Sequence, residues 1–110
     1  YTLKLHNKYL TYVSGQSYIP LLSTVDTKNK NALWAFVEEN GKIKIYNAGA
    51  GAEMILAAPS NVQFTGSTYA TMTSTNSLTE KIGTWEFSAG QNGAFFLKLD
   101  GVQNAYMNVS

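Results

Sequence analysis

A tryptophan-bearing strand that occurs twice in the same setting constrains this chain more than any other feature. Trp34-Ala35-Phe36 recurs as Trp85-Glu86-Phe87, and each is followed by an Asn-Gly pair, Asn40-Gly41 and Asn92-Gly93. Each pair precedes an apolar-Lys-apolar triplet, Ile43-Lys44-Ile45 and Leu97-Lys98-Leu99, and the same triplet opens the chain as Leu3-Lys4-Leu5. After each triplet come a turn and a second strand starting with bulky residues: Tyr9-Leu10, Met54-Ile55 and Tyr106-Met107. Such recurrence is the mark of one supersecondary unit used several times. The unit has four strands, with the tryptophan on the fourth. The first unit spans about 1–41 and the second about 42–93, while the third runs 94–110 and stops after its second strand.

The rest of the pattern is β throughout. Short runs of β-branched and aromatic residues alternate with Gly, Asn and Ser, which places strands near 2–6, 9–13, 19–25, 33–38, 42–47, 53–58, 68–73, 83–88, 94–99 and 105–109. Asn-Gly adopts the positive φ angles of tight hairpins, so both pairs read as turns. No window holds a sustained 3.6-residue apolar period with caps. Segment 74–82 is polar and reads as a loop with room for one helical turn. Strand side chains alternate faces, so Trp34 shares a face with Phe36 and Trp85 with Phe87. Brought together, these rings are expected to fill the centre of a small barrel.

Units of this kind resemble the β-trefoil, and among trefoils the chain looks like the ricin-type lectin-like family. That family carries Gly-x-Tyr-Leu-Thr on the second strand of its unit and Gln-x-Trp on the fourth. Here Lys8-Tyr9-Leu10-Thr11 matches the first signature, and Leu33-Trp34 and Thr84-Trp85 match the second, with Ala32 and Gly83 where the family has Gln. The resemblance covers essentially the whole chain. It implies an all-β fold, a β-trefoil of three four-strand repeats with the third incomplete, in one domain over 1–110. Repeat arithmetic puts the end of the third unit roughly 25–35 residues past Ser110.

Composition narrows the function classes. All eight basic residues are Lys, and the net charge is +1. Nucleic-acid binding needs clustered positive charge, and Arg supplies the planar fork that grips phosphate, so nucleic acid is not expected as a partner. The longest nearly apolar stretch, Met54 to Pro59, is too short to cross a bilayer, so membrane insertion is not expected. With no Cys and one His, His6, the chain lacks the residues of a thiolate or His-rich metal site, and no cofactor is expected. His6 has no nucleophile elbow near it. Glu38 and Glu39 are adjacent and point to opposite faces of a strand, so no local carboxylate pair suggests a glycosidase. No enzymatic activity is expected. The abundance of Asn, Thr, Ser and Gly, with seven Tyr, resembles the surface of secreted glycan-binding proteins.

The resemblance therefore implies a non-catalytic carbohydrate-binding module, an accessory domain of a larger secreted or cell-surface protein, with an oligosaccharide or polysaccharide as partner. Lectin-like trefoils hold sugars in shallow pockets, with an acid near the end of the second strand, an aromatic platform and an Asn or Gln donor. The acid position falls near Tyr12 or Val13 in the first unit, Ala57 or Ala58 in the second and Asn108 in the third. The candidate platforms are Tyr18 in the first unit and Tyr69 in the second, and Tyr12 is also expected to be exposed, since Tyr9 and Tyr12 fall on opposite strand faces. The densest polar-aromatic group lies in the third unit: Asp100, Gln103, Asn104 and Tyr106, with Asn108 beside it. Two other readings stand beside this one. A structural or protein-interaction trefoil without sugar binding fits the loss of the Gln and the acid. A trefoil of the actin-crosslinking type shares the Tyr-Leu-Thr strand, but such surfaces rely on basic patches.

Overall fold

The computed structural model describes residues 1–5, 8–15, 21–22, 28–61, 70–90, 92–102 and 105–109, with the backbone alone for Leu5, Leu21, Leu22 and Asn108. The expected strand 19–25 lies largely outside these residues, as does His6. The described chain is all-β. Its strands are β1 (Lys4–Leu5), β2 (Lys8–Leu10), β3 (Leu21–Leu22), β4 (Trp34–Glu39), β5 (Lys42–Asn47), β6 (Met54–Pro59), β7 (Thr71–Ser74), β8 (Lys81–Ile82), β9 (Trp85–Ala89), β10 (Phe95–Leu99) and β11 (Tyr106–Val109). One 3-10 turn, Lys30–Ala32, interrupts them, capped by Asn29, whose side chain accepts from the Asn31 N–H.

Every ladder among the described residues is antiparallel. The strands order as β1-β2-β3, β11-β10-β9-β5-β4 and β7-β6-β8. Tyr1 and Trp34 also exchange two backbone hydrogen bonds of 2.9 and 2.7 Å, which tie the start of the chain to β4. Asn40 and Gly41 have φ of 55° and 79°, and Asn92 and Gly93 of 57° and 80°. Two successive positive φ angles give the turn handedness that matches strand twist, which is why Asn-Gly sits at both places.

Period-two alternation builds the core. Ile43 and Ile45 point inward on β5, Leu97 and Leu99 on β10, and Met107 and Val109 on β11, with Lys44 and Lys98 outward between them. Trp34 and Trp85 are buried among them. Each buried large side chain contributes about 1.5–3 kcal/mol relative to exposure.

The structure alters three of the expectations. Segment 74–82 contains no helical turn but ends in β8, which pairs with β6 through Ala58–Ile82 and Pro59–Lys81. The phenylalanines do not fill the centre: Phe36 is half-buried and Phe87 is 52% exposed. Both instead line an open cavity of about 400 Å³ with Tyr1, Thr2, Leu3 and Phe95. Finally, the repeat register differs in the second unit. Trp34 lies opposite Asn47 and Trp85 opposite Leu99, while Trp34 bonds to Tyr1 and Trp85 pairs with Ile43. These pairings make Tyr1, Ile43 and Phe95 counterparts. Leu3-Lys4-Leu5 and Leu97-Lys98-Leu99 therefore align with Ile45-Tyr46-Asn47, not with Ile43-Lys44-Ile45. A slip of two residues preserves which side chains face inward, so an apolar-x-apolar pattern is blind to it.

Candidate functional site

The β10–β11 hairpin and the neighbouring β9 present the most chemically dense outward face among the described residues. Inward burial of Leu97, Leu99, Met107 and Val109 forces Phe96, Lys98 and Tyr106 to the other side. In register, Glu86, Lys98 and Tyr106 form one row across β9, β10 and β11. Tyr106 is 49% exposed, and its ring meets Phe96 edge-on at 5.6 Å and 81°. That contact fixes the tyrosine ring while leaving much of it open to solvent. Tyr9, which lies opposite Lys4 as Tyr106 lies opposite Lys98, is half-buried and sits under the Lys4 ammonium at 5.2 Å.

Beside the tyrosine lies a charge network. The Lys42 ammonium reaches both Glu86 and Asp100, the latter at 3.1 Å, and Lys98 lies 3.6 Å from the second oxygen of Glu86. Thr84 donates its hydroxyl to Asp100 Oδ2 at 3.0 Å, and the Asp100 N–H donates to the Thr84 carbonyl at 3.1 Å. Hydrogen bonding from Lys42 holds the Glu86 and Asp100 carboxyls below their usual range, and the same bonds raise the Lys42 ammonium. Both carboxylates are ionised at neutral pH and act as hydrogen-bond acceptors. Neither has the upward shift of a general acid.

The other expected site residues are distributed as follows. Tyr12 is half-buried and packs against the core, with its N–H bonded to the Asn31 carbonyl at 2.9 Å. It is therefore less exposed than its alternation with Tyr9 suggested: β2 ends at Leu10, so alternation does not extend to it. Ala57 and Ala58, where the second unit's acid position falls, are fully buried. Tyr18, Tyr69, Gln103 and Asn104 lie outside the described residues. Asn108 is described by its backbone alone, opposite Phe96 on β11.

Four members of the face were missed in the sequence: Lys42, Glu86, Phe96 and Lys98. Phe96 and Lys98 carry a readable signal, because they stand at alternate positions before Asp100. Glu86 joins only through the β9–β10 register, and Lys42 only through β5 packing beside β9. Among the described residues no group of three or more His, Cys, Asp or Glu side chains comes together to hold a metal, and no helix is long and apolar enough to cross a membrane. Compared with known proteins, the chain matches no family model and no curated protein sequence.

Proposed function

We propose that the chain is a non-catalytic carbohydrate-binding module of the β-trefoil class, an accessory domain of a larger secreted or cell-surface protein, and that its sugar site is the face centred on Tyr106. The trefoil part draws support from a repeated bond. The Trp34 indole donates to the Leu10 carbonyl at 3.1 Å and the Trp85 indole to the Leu56 carbonyl at 3.0 Å, each from a fourth strand to a second strand. The sugar part rests on one observation: a tyrosine that is 49% exposed and braced by Phe96, next to ionised Glu86 and Asp100 and two lysines. An aromatic face packs on the C–H side of a pyranose, while carboxylates and ammonium groups bind its hydroxyls.

The alternative, a structural or protein-interaction module without sugar binding, has an observation of its own. Both Asp100 oxygens are already engaged, one by Lys42 and one by Thr84. A screen of immobilised glycans separates the two readings. The lectin reading expects saturable binding to at least one glycan class, weakened by about tenfold or more in Tyr106→Ala and also weakened in Asp100→Asn. Absence of binding to every glycan tested supports the interaction module instead.

A further inference from the structure

The face around Tyr106 continues well past its hairpin. On the outward side of the five-stranded sheet, register sets Tyr106 on β11 opposite Lys98 on β10, Lys98 opposite Glu86 on β9, and Lys42 on β5 opposite Glu39 on β4. The pairing of Ile43 with Trp85 puts Lys42 beside Glu86, and their ion pair closes that step. These five side chains make one row that crosses every strand of the sheet. The rows on either side stop short among the described residues. Phe96 and Ser88 have no partner on the last two strands, because β4 ends at Glu39 and β5 begins at Lys42. Val37 and Lys44 run out at Thr84 and Asp100, which lie beyond the ends of β9 and β10.

Spacing, charge and exposure together say what the row can hold. Neighbouring strands are about 4.8 Å apart, so the row offers one side chain per step over roughly 19 Å. An extended chain of 1,4-linked pyranoses advances by one ring length per unit, which is close to that step. Strand twist turns each step by roughly 20–25°, and rotation at each glycosidic bond lets such a chain follow. The charges alternate from Lys98 to Glu39, and Lys42, Lys44 and Lys98 balance Glu39, Glu86 and Asp100. Hydroxyl groups therefore meet donors and acceptors in turn, and a polyanion meets no net positive field. The side chains of Lys98, Glu86, Lys42 and Glu39 keep between 36% and 59% of their exposure. Exposed apolar surface stands at both ends, on Tyr106 and on Val37 beside Glu39.

From this we infer that the row from Tyr106 to Glu39 is a track for an extended, uncharged 1,4-linked glycan chain, lying across the strands with about one sugar per strand. The inference rests on the lectin reading and narrows it: the ligand is a run of four or five sugars and not one terminal sugar. Tyr106 packs on the C–H face of the first sugar, and Val37 meets the C–H edge of the last. The sugars between them bond through their hydroxyls to Lys98, Glu86, Lys42 and Glu39.

The test is calorimetric titration of the 110-residue chain with cello- and manno-oligosaccharides of one to six units, beside galactose, N-acetylglucosamine and polygalacturonate. The expected result is an affinity that rises by about tenfold or more from the disaccharide to the tetra- or pentasaccharide, with no further gain at six units. Added salt changes it little, because the ligand carries no charge. Glu39→Ala weakens binding of the pentasaccharide and leaves the disaccharide unchanged, whereas Tyr106→Ala weakens both. Glu39 is exposed, so its substitution leaves the fold intact, which thermal unfolding checks. A monosaccharide bound as tightly as the pentasaccharide overturns the track and leaves the lectin reading standing. So does a pentasaccharide affinity untouched by Glu39→Ala, or a tighter, salt-sensitive binding of polygalacturonate. Absence of binding to these and to every immobilised glycan overturns both.

Discussion

The indole nitrogen of Trp85 donates to the carbonyl oxygen of Leu56 across 3.0 Å, in a setting where Trp85 has no exposed surface. A carbonyl that loses its donor in such a place keeps the desolvation cost without the bond. Trp85→Phe is expected to destabilise the fold by about 1–3 kcal/mol through this bond, with some additional loss from the smaller ring. Trp34→Phe acts in the same way through Leu10. Urea unfolding of the two variants checks the equivalence. Costs differing by more than about 2 kcal/mol would show that the two tryptophans do not do the same job.

Asn47 is the polar counterpart of two leucines in the register, and it is only 1% exposed. Its amide donates to the Asn31 carbonyl at 2.8 Å, and its side-chain oxygen accepts from the N–H groups of Gly49 and Ala50 at 3.0 and 3.1 Å. The side chain thus folds the β5–β6 turn onto the 3-10 turn. Asn47→Leu restores the repeat pattern but strands these groups, and is expected to cost about 2–4 kcal/mol. A stabilised Asn47→Leu variant in chemical denaturation would mean that the turn does not depend on this side chain.

Gly49 is held to glycine by the same contact. A Cβ built there would lie 1.7 Å from Asn31 Oδ1 and 3.1 Å from Asn31 Cα. Gly49→Ala is expected to destabilise the chain, and Asn31→Ala to recover part of that loss, since the nearer clash is with the side-chain end. A double-mutant cycle measures the coupling. Strict additivity would place the strain in the backbone of the turn alone.

The Lys42 network makes stability pH-dependent at both ends. Glu86 and Asp100 titrate below their ordinary values of 4.5 and 3.8, so their contribution is complete above those values and is lost as pH falls through the folded-state pKa of each. Lys42 titrates above its ordinary 10.5, so its contribution is complete below that value and is lost as pH rises through the folded-state pKa. Lys42→Met removes the shared partner and is expected to flatten the acid and alkaline limbs of the urea midpoint against pH. These groups are solvent-accessible, so added salt reduces the wild-type slope as well. Unchanged limbs in the variant would show that other groups set the dependence.

What could be read from the residues alone follows from which interactions are local. Asn40-Gly41 and Asn92-Gly93 carry their turn geometry in two adjacent residues, and the strands around them carry period two in five or six. The burial of Trp34 and Trp85 was legible because a large apolar ring recurs in the same setting. The exposure of Phe87 was not, because it follows from the open cavity its ring lines with Tyr1, Phe36 and Phe95, which come from other strands. The row Glu86, Lys98 and Tyr106 was half-legible. Tyr106 and Asp100 stand out by type and crowding, whereas Glu86 enters only when β9 is set against β10. The second-unit register was hidden by the symmetry of an alternating pattern, and only the pairing of Trp85 with Ile43 resolves it.

Tyr106 offers a separation of stability from binding. Its ring is half-exposed and, among the described residues, makes an edge-on pair with Phe96. Truncation to Ala removes that pair and some apolar cover, with an expected cost of about 1 kcal/mol. The proposed sugar contact depends on the ring face itself, so the same substitution is expected to weaken glycan binding by about tenfold or more, equivalent to at least about 1.4 kcal/mol. Tyr106→Phe keeps the face and loses only the hydroxyl, so it retains most of the affinity. Phe96→Leu keeps Tyr106 but frees its ring, and falls between the two. Affinity electrophoresis in polysaccharide gels reads this order alongside urea midpoints. If Tyr106→Ala lost stability and binding in step, the tyrosine would be a packing residue and the sugar site would lie elsewhere.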